Sequence, residues 1–311
     1  YGGANPLLSY GLVGIGATLA SVLPWVFMHV FNMQDITAAD TIPLTLKLSF
    51  YVGAGVYLLA NLWTVFFSRE YPPENLTEWR KEKSQTKFTF WSDLKTVSVN
   101  FIHMPKVMRQ ISVVQFFTWA GLFCFFLYYG PGVAQNIFNL PVNADTATDL
   151  IAKELLERGI ALGGLCFATY TLVSFIYAYF IPHLSRLITR KGAHIVSLLF
   201  GAVGLGSSYF IHDKSLLILT MVGLGFAWAS IVTIPYAILA GTLPKDKMGV
   251  YMGLFNITIC VPEIIAALTL GYLVDHVFAN RAMAVVSMAG IFFVIAAIFT
   301  IFVDDKKVEE I

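Results

Sequence analysis

The chain has 311 residues, of which 57% are hydrophobic and only 13% charged, with a formal net charge of +1; an ordinary soluble domain carries roughly 25% charged residues. Mean hydropathy is +0.72. This composition excludes a water-soluble globule, and the near-neutral balance gives no footing for a nucleic-acid partner or an acidic substrate.

A helix crossing the roughly 30 Å hydrocarbon core at about 1.5 Å per residue needs about 20 apolar residues. Eight stretches qualify, at 7–31, 44–67, 111–134, 160–181, 195–211, 216–240, 250–274 and 282–303. Lipid offers no partner to an unpaired backbone group, and these runs lack the alternation of a barrel strand, so all of them are expected to be helices. The expected fold is an all-α integral membrane protein with about eight transmembrane helices.

Between the second and third spans lies a charged segment of 43 residues, 68–110, with two spans before it and six after it. Within it Trp91, Leu94, Ser98 and Phe101 recur at helical spacing beside Lys95 and Lys106. An amphipathic helix on the leaflet surface and a solvated linker both fit that pattern. Lys and Arg divide 15 against 5 between the two sides of the membrane under this span count. By the positive-inside rule both termini are expected to be cytoplasmic. Cys124, Cys166 and Cys260 all fall within spans, where they are expected to be small packing residues rather than a disulfide framework.

An ionisable residue at membrane depth is by default a candidate functional residue. Glu263 lies near the middle of the seventh span, and no other Asp, Glu, Lys or Arg lies deep in any span. A charge there costs about 2.5–3.5 kcal/mol on insertion scales, so Glu263 is expected to face protein or a wet cavity, or to be protonated. At about 100° per residue, Gly249, Gly253, Asn256, Cys260, Glu263 and Ala267 share an arc of about 80°. Gly249 and Gly253 form a small-xxx-small pair that permits close helix approach, and Pro262 is expected to kink the helix. A structural carboxylate bonded to a neighbour is the alternative to a binding or proton-coupling role.

In the third span Gln115, Trp119, Leu122, Phe126 and Tyr129 share one face. An amide beside aromatic rings suits a sugar, whose hydroxyls take hydrogen bonds while its apolar face packs on π surfaces. Tyr128 and Tyr129 lie toward the span end, where aromatic residues commonly anchor helices at the headgroups. In the sixth span Trp228, Pro235 and Tyr236 lie on a broad common side, and Pro235 is expected to bend the helix. The six histidines lie mostly at span ends or in loops, with no His-Glu-x-x-His and no obvious Ser–His pair at membrane depth. No enzyme activity, cofactor or metal site is expected.

Gln-Phe-Phe-Thr-Trp at 115–119, the run from Gly225 to Pro235-Tyr236-Ala237, and Met-Gly-Val-Tyr-Met-Gly-Leu-Phe-Asn at 248–256 followed by Pro262-Glu263 resemble spans seven, ten and eleven of sucrose and maltose transporters. That group belongs with the glycoside-pentoside-hexuronide:cation symporters and their relatives in the major facilitator superfamily. The resemblance implies a twelve-helix protein that couples disaccharide uptake to a cation, usually H⁺, by alternating access. Plant sucrose carriers tend to have Pro-Gln where this chain has Pro262-Glu263, a departure that bears on coupling or sugar preference. Residues 183–192, with Arg186, Arg190 and Lys191, resemble the superfamily's basic cytoplasmic loop motif without its usual Asp, and are expected to serve as a gate latch or an orientation signal.

By topology and these motifs, the six later spans read as one complete half of such a transporter and the two earlier spans as the end of the other half. The first four spans are then expected to be absent from this chain. The expected domains are 1–67 (the last two helices of the first half), 68–110 (cytoplasmic linker), 111–303 (six-helix bundle) and 304–311 (cytoplasmic tail). The expected function is secondary transport of a disaccharide or related glycoside, driven by H⁺ or by Na⁺, with H⁺ favoured. Gln115, Trp119, Trp228, Tyr236, Asn256 and Glu263 are expected to bind substrate, with Glu263 also carrying the coupling proton. The other classes in play are a membrane scaffold or receptor, and a channel. Short loops without disulfides fit a bacterial inner membrane.

Overall fold

The computed structural model describes residues 44–67, 104–243 and 248–305, together with positions 16, 19, 20, 22, 23, 26–28, 30–33, 99 and 101. The expected first span, 7–31, lies mostly outside the described residues, as do the surface helix read from Trp91, Leu94, Lys95 and Ser98, and the tail beyond Asp305. Among the described residues seven helices are long and apolar enough to cross a membrane, and none of the described backbone is a strand. The chain divides into two units, Val22–His103 and one built on Met104–Ile311.

In the first unit α1 spans Leu44–Phe67, the bounds expected from its apolar run. Phe50, Tyr51, Trp63 and Phe66 are exposed, so its surface is apolar all round, as a lipid-facing helix requires. Its polar side chains bond backward along the helix: Ser49 Oγ donates to Thr45 O at 2.7 Å, Asn61 Nδ2 to Tyr57 O at 2.8 Å, and Thr64 Oγ1 to Ala60 O at 3.0 Å. Each donor therefore has a partner without water.

The second unit contains α2 (Lys106–Phe138), α3 (Leu150–Ile188), α4 (Arg190–Ser207), a 3₁₀ turn (Ser208–Phe210), α5 (Lys214–Ile231), α6 (Ile234–Ala240), α7 (Met248–His276) and α8 (Ala282–Ile301). Five of them close a ring in which α2 packs on α3, α3 on α5, α5 on α4, α4 on α8 and α8 on α2; α7 packs against α2. The helices overrun their apolar stretches because capping residues lie outside those stretches. Asp149 accepts from the N–H groups of Ile151 and Ala152, and Asp213 from those of Ser215 and Leu216, which starts α3 and α5 before their hydrophobic runs begin. The bend expected at Pro235 is a break: α5 ends at Ile231, Thr233 Oγ1 donates to Ala229 O, and α6 starts with Pro235 in its first turn, where no N–H is needed. Through Pro262, by contrast, α7 runs on to His276.

Two groups of contacts show that the six spans alternate in direction. At one end Lys106 pairs with Asp304 at 2.7 Å, and Arg190 with Asp305. At the other, Gln135 Nε2 donates to Asn280 O, Asn136 Nδ2 to Tyr209 O, and Arg281 to the Tyr209 hydroxyl.

In lipid, helices associate through close packing rather than through the hydrophobic effect. Phe293 of α8 fills the space left by Gly121 on α2 and Gly201 on α4. The closest backbone approach joins α4 to α5, where a side chain on Gly204 would strike Thr220 O and one on Gly223 would strike Phe200 O. Gly249 and Gly253, the pair expected to mediate close approach, have nothing within 4 Å of a would-be Cβ. The spacing marked small residues correctly, but it could not tell which face of α7 meets a neighbour. Gly223→Ala is expected to cost about 1–3 kcal/mol through overpacking, read as a lowered unfolding temperature in detergent. Gly206→Ala, which would meet nothing within 4 Å, should leave that temperature unchanged.

Candidate functional site

The most ordered chemistry in the six-helix unit is an aromatic layer built by α2, α3 and α5. Trp228 of α5 makes edge contacts with Trp119 (centroids 6.1 Å apart), Phe126 (5.9 Å) and Tyr170 (6.0 Å). Behind it Phe125 stacks on Phe167 at 4.8 Å, and Tyr129 lies edge-on to Phe167 at 6.1 Å. Offset and edge geometries of this kind are the favoured aromatic arrangements, so the rings hold one another in place.

Gln115 lies one turn from Trp119 and is fully buried. Its Oε1 accepts from Thr118 Oγ1 at 3.2 Å. Its Nε2 has no hydrogen-bond partner among the described residues, and neither does the buried Trp119 Nε1, whereas the Tyr129 hydroxyl has the Cys166 thiol as its neighbour. Buried donors nearly always have partners, and one left without costs about 1–3 kcal/mol. Two such buried donors on α2, Gln115 Nε2 and Trp119 Nε1, therefore lie beside the contacting rings of the layer.

On α7 the buried side is Leu254, Phe255, Thr258, Pro262, Ala266, Leu270 and Val274, which recur every four residues. Phe255 is 0% exposed and meets Tyr236 edge-on at 5.3 Å. The opposite side carries the predicted arc. Asn256, Cys260 and Ala267 are exposed and Glu263 is half-buried. Neither Asn256 nor Glu263 makes a hydrogen bond or ion pair among the described residues. The structure therefore joins Trp119 to Trp228 and Tyr236 to Phe255, but no described contact carries Asn256 or Glu263 to the aromatic layer. Cys124 and Cys166 are buried, as packing residues should be; Cys260 is exposed.

The basic segment is not a free loop. Arg186 is exposed, whereas Arg190 and Lys191 are the first residues of α4. The Arg190 guanidinium pairs with Asp305, whose side chain is 7% exposed, and also donates to Ala237 O at 3.0 Å. Lys191 Nζ donates to Ile301 O, one of the orphan carbonyls at the end of α8, and to Val303 O just beyond it. The carboxylate that Arg190 meets is thus 115 residues further along the chain, at Asp305. Asp305→Asn is expected to cost about 2 kcal/mol, the worth of a charge-assisted bond, as a fall in unfolding temperature. In a double-mutant cycle, adding Arg190→Gln should cost little more.

Sequence reasoning missed three features. Phe167 and Tyr170 complete the aromatic layer, but aromatic residues are so frequent in these spans that nothing distinguished them. A Ser–His pair does exist: His194 Nδ1 lies 2.6 Å from Ser230 Oγ, joining α4 to α5 across 36 residues. His194 is 2% exposed, and its Nε2 has no partner among the described residues. The pair thus lacks the third, orienting group of a nucleophilic triad and acts as an interhelical hydrogen bond. Beside it the Tyr177 hydroxyl meets Ser197 Oγ at 2.9 Å.

The described spans make a multi-pass helical membrane protein whose six-span unit buries unpartnered donors beside aromatic rings. The sequence pattern of the Major Facilitator Superfamily matches residues 8–267, and the chain belongs to that family of transporters. It is similar to Solute carrier family 45 member 3 of Homo sapiens, 20% identical over 144 residues that make up 46% of this chain and 26% of that protein. It is also similar to Sucrose transport protein SUC3 of Arabidopsis thaliana, 22% identical over 194 residues, 54% of this chain and 32% of that protein. To Proton-associated sugar transporter A of Homo sapiens it is 21% identical over 196 residues, 58% of this chain and 26% of that protein. The matched regions thus span from about a quarter to about a third of the length of these relatives.

Proposed function

We propose that this chain carries the sugar-facing half of a secondary transporter that moves a disaccharide or related glycoside by alternating access, with H⁺ as the coupling ion. The observation that carries this reading is the pair of unpartnered buried donors, Gln115 Nε2 and Trp119 Nε1, beside the contacting rings of Trp119 and Trp228. A sugar supplies what such a surface lacks: hydroxyl acceptors for the donors and C–H faces for the rings. The relatives whose names specify sucrose, or a proton-associated sugar, support the same substrate class and coupling ion.

In this reading Gln115 and Asn256 bind hydroxyls, Trp119, Trp228 and Tyr236 shape the pocket, and Glu263 takes the coupling proton. Glu263 is a half-buried carboxyl within a span and has no ion-pair partner among the described residues, the placement in which an ionisable group is a candidate proton carrier. Helices α2 to α8 form one complete half of the transporter, the spans at 7–31 and 44–67 end the other half, and 68–110 joins them. The end bearing Arg186, Arg190 and Lys191 faces the cytoplasm by the positive-inside rule, where Arg190 latches the bundle through Asp305 and Lys191 through the carbonyls of Ile301 and Val303. The named relatives are plant and mammalian, and they lend a bacterial inner membrane no support.

The test is counterflow in proteoliposomes containing the full chain, loaded with unlabelled sucrose or maltose and exposed to the labelled sugar. Transient accumulation of label is expected for at least one of the two. If neither these nor a panel of other glycosides exchanges, the sugar reading fails and a scaffold role takes its place.

A further inference from the structure

At the end of the six-helix unit opposite Arg190 and Asp305, a pocket of about 360 Å³ opens between the C-terminal end of α2, the 3₁₀ turn and the first residues of α8, within the size range of small-molecule sites. Its lining includes the polar side chains of Gln135, Asn136, Tyr209, His212 and Arg281.

The amides are already spent. Gln135 donates to Asn280 O at 3.0 Å and accepts from Ala282 N–H at 2.8 Å, while Asn136 Nδ2 donates to Tyr209 O at 2.9 Å. His212 Nδ1 bonds Asn136 O at 3.1 Å, which leaves Nε2 as its remaining polar atom. The neighbouring acid, Asp213, is turned onto the N–H groups of Ser215 and Leu216.

Arg281 is the one Arg, Lys, Asp or Glu among the residues that line the pocket. At the same end Arg158 is neutralised by Glu154 at 2.6 Å, and Lys214 lies 4.8 Å from the centre of the Phe138 ring. Arg281 instead donates to a neutral partner, the Tyr209 hydroxyl, at 2.8 Å, and meets no carboxylate among the described residues. A guanidinium offers five donors in a planar fork, and that fork matches phosphate. Tyr209 and the 76% exposed Phe210 also line the pocket, and aromatic residues so placed mark the depth of the lipid headgroups.

We infer that this pocket binds a phosphate-bearing anion through Arg281, with the headgroup of an anionic phospholipid as its occupant. The phosphate lies on the Arg281 fork, and a headgroup hydroxyl reaches His212 Nε2. The site is separate from the aromatic layer and does not depend on which solute the chain carries.

The purified full chain can be titrated with phosphatidylglycerol and with phosphatidylcholine, following bound lipid by native mass spectrometry, and in a second arm with inorganic phosphate at constant ionic strength, following the unfolding temperature. The parent should retain phosphatidylglycerol in preference to phosphatidylcholine. Arg281→Gln should weaken phosphatidylglycerol binding about tenfold, the scale of one charge-assisted contact, and Arg281→Lys should weaken it less. If inorganic phosphate alone reproduces the whole stabilisation, the anion site stands and its occupant is a free ion. Equal retention of the two lipids by the parent, or phosphatidylglycerol binding unchanged in Arg281→Gln, overturns the inference. Should Arg281→Gln not fold, Val142→Trp fills the pocket from an exposed position, and undiminished phosphatidylglycerol binding there overturns it as well.

Discussion

Trp228→Ala should abolish sugar counterflow and lower the unfolding temperature more than any other substitution in the aromatic layer. The indole meets Trp119 and Phe126 of α2 and Tyr170 of α3, so it is the point at which three helices are held in register. Each aromatic contact is worth about 0.5–1.5 kcal/mol beyond area burial, and truncating a core Trp to Ala costs about 3–5 kcal/mol with the cavity included. In a bilayer that packing is not backed by a hydrophobic force between helices. Loss of fold and loss of binding are separated by Trp228→Phe, which keeps a ring in the layer. That variant should elute as folded protein on size exclusion and still counterflow, with about tenfold weaker apparent sugar affinity, equivalent to one lost contact. Parent-like affinity in Trp228→Phe would mean that the indole packs helices and does not touch sugar.

Glu263→Gln should separate exchange from energisation. The amide keeps the size and hydrogen bonding of the acid but cannot carry a proton, and no described partner depends on the carboxylate charge. Counterflow, which needs only the reorientation of loaded carrier, should persist. Uptake driven by an imposed pH gradient should fall to about equal sugar concentrations on the two sides. Gradient-driven accumulation at the parent level would remove Glu263 from coupling. Loss of both activities with the fold intact would instead make it a sugar ligand.

The spans could be read from sequence because lipid imposes one rule, a long apolar run closed by internal hydrogen bonds. Leu44–Phe67 emerged with its expected bounds; Lys106–Phe138 and Leu150–Ile188 gain turns at both ends, whereas the span expected at 216–240 is broken after Ile231 and the last stops at Ile301. Early starts follow from caps such as Asp149 and Asp213, which lie in polar sequence where hydropathy gives no signal. Which face of each helix is buried could not be read from sequence. The wheel grouped Glu263 with Asn256 correctly, yet nothing in the period says that Phe255 and Pro262, rather than the small residues, are buried. Long-range pairs were equally hidden: Arg190 with Asp305, His194 with Ser230, and Gln110 Nε2 with Phe302 O at 2.7 Å are separated by 115, 36 and 192 residues. Such pairs depend on ring closure between α2, α4, α5 and α8, which local patterning does not encode. Of the candidate site, Gln115, Trp119 and Trp228 could be found because polar and Trp side chains are rare enough inside spans to be noticed. Phe167 and Tyr170 were lost among many similar residues.

The central claim, that sugar binds against Gln115, Trp119 and Trp228, is most directly tested by tryptophan fluorescence of the purified full chain during titration with sucrose or maltose. A saturable shift in emission is predicted for the parent, retained when any of the other tryptophans is replaced by Phe and lost in the Trp119→Phe/Trp228→Phe double variant. A saturable shift that survives in that double variant, at the parent affinity, would contradict the account.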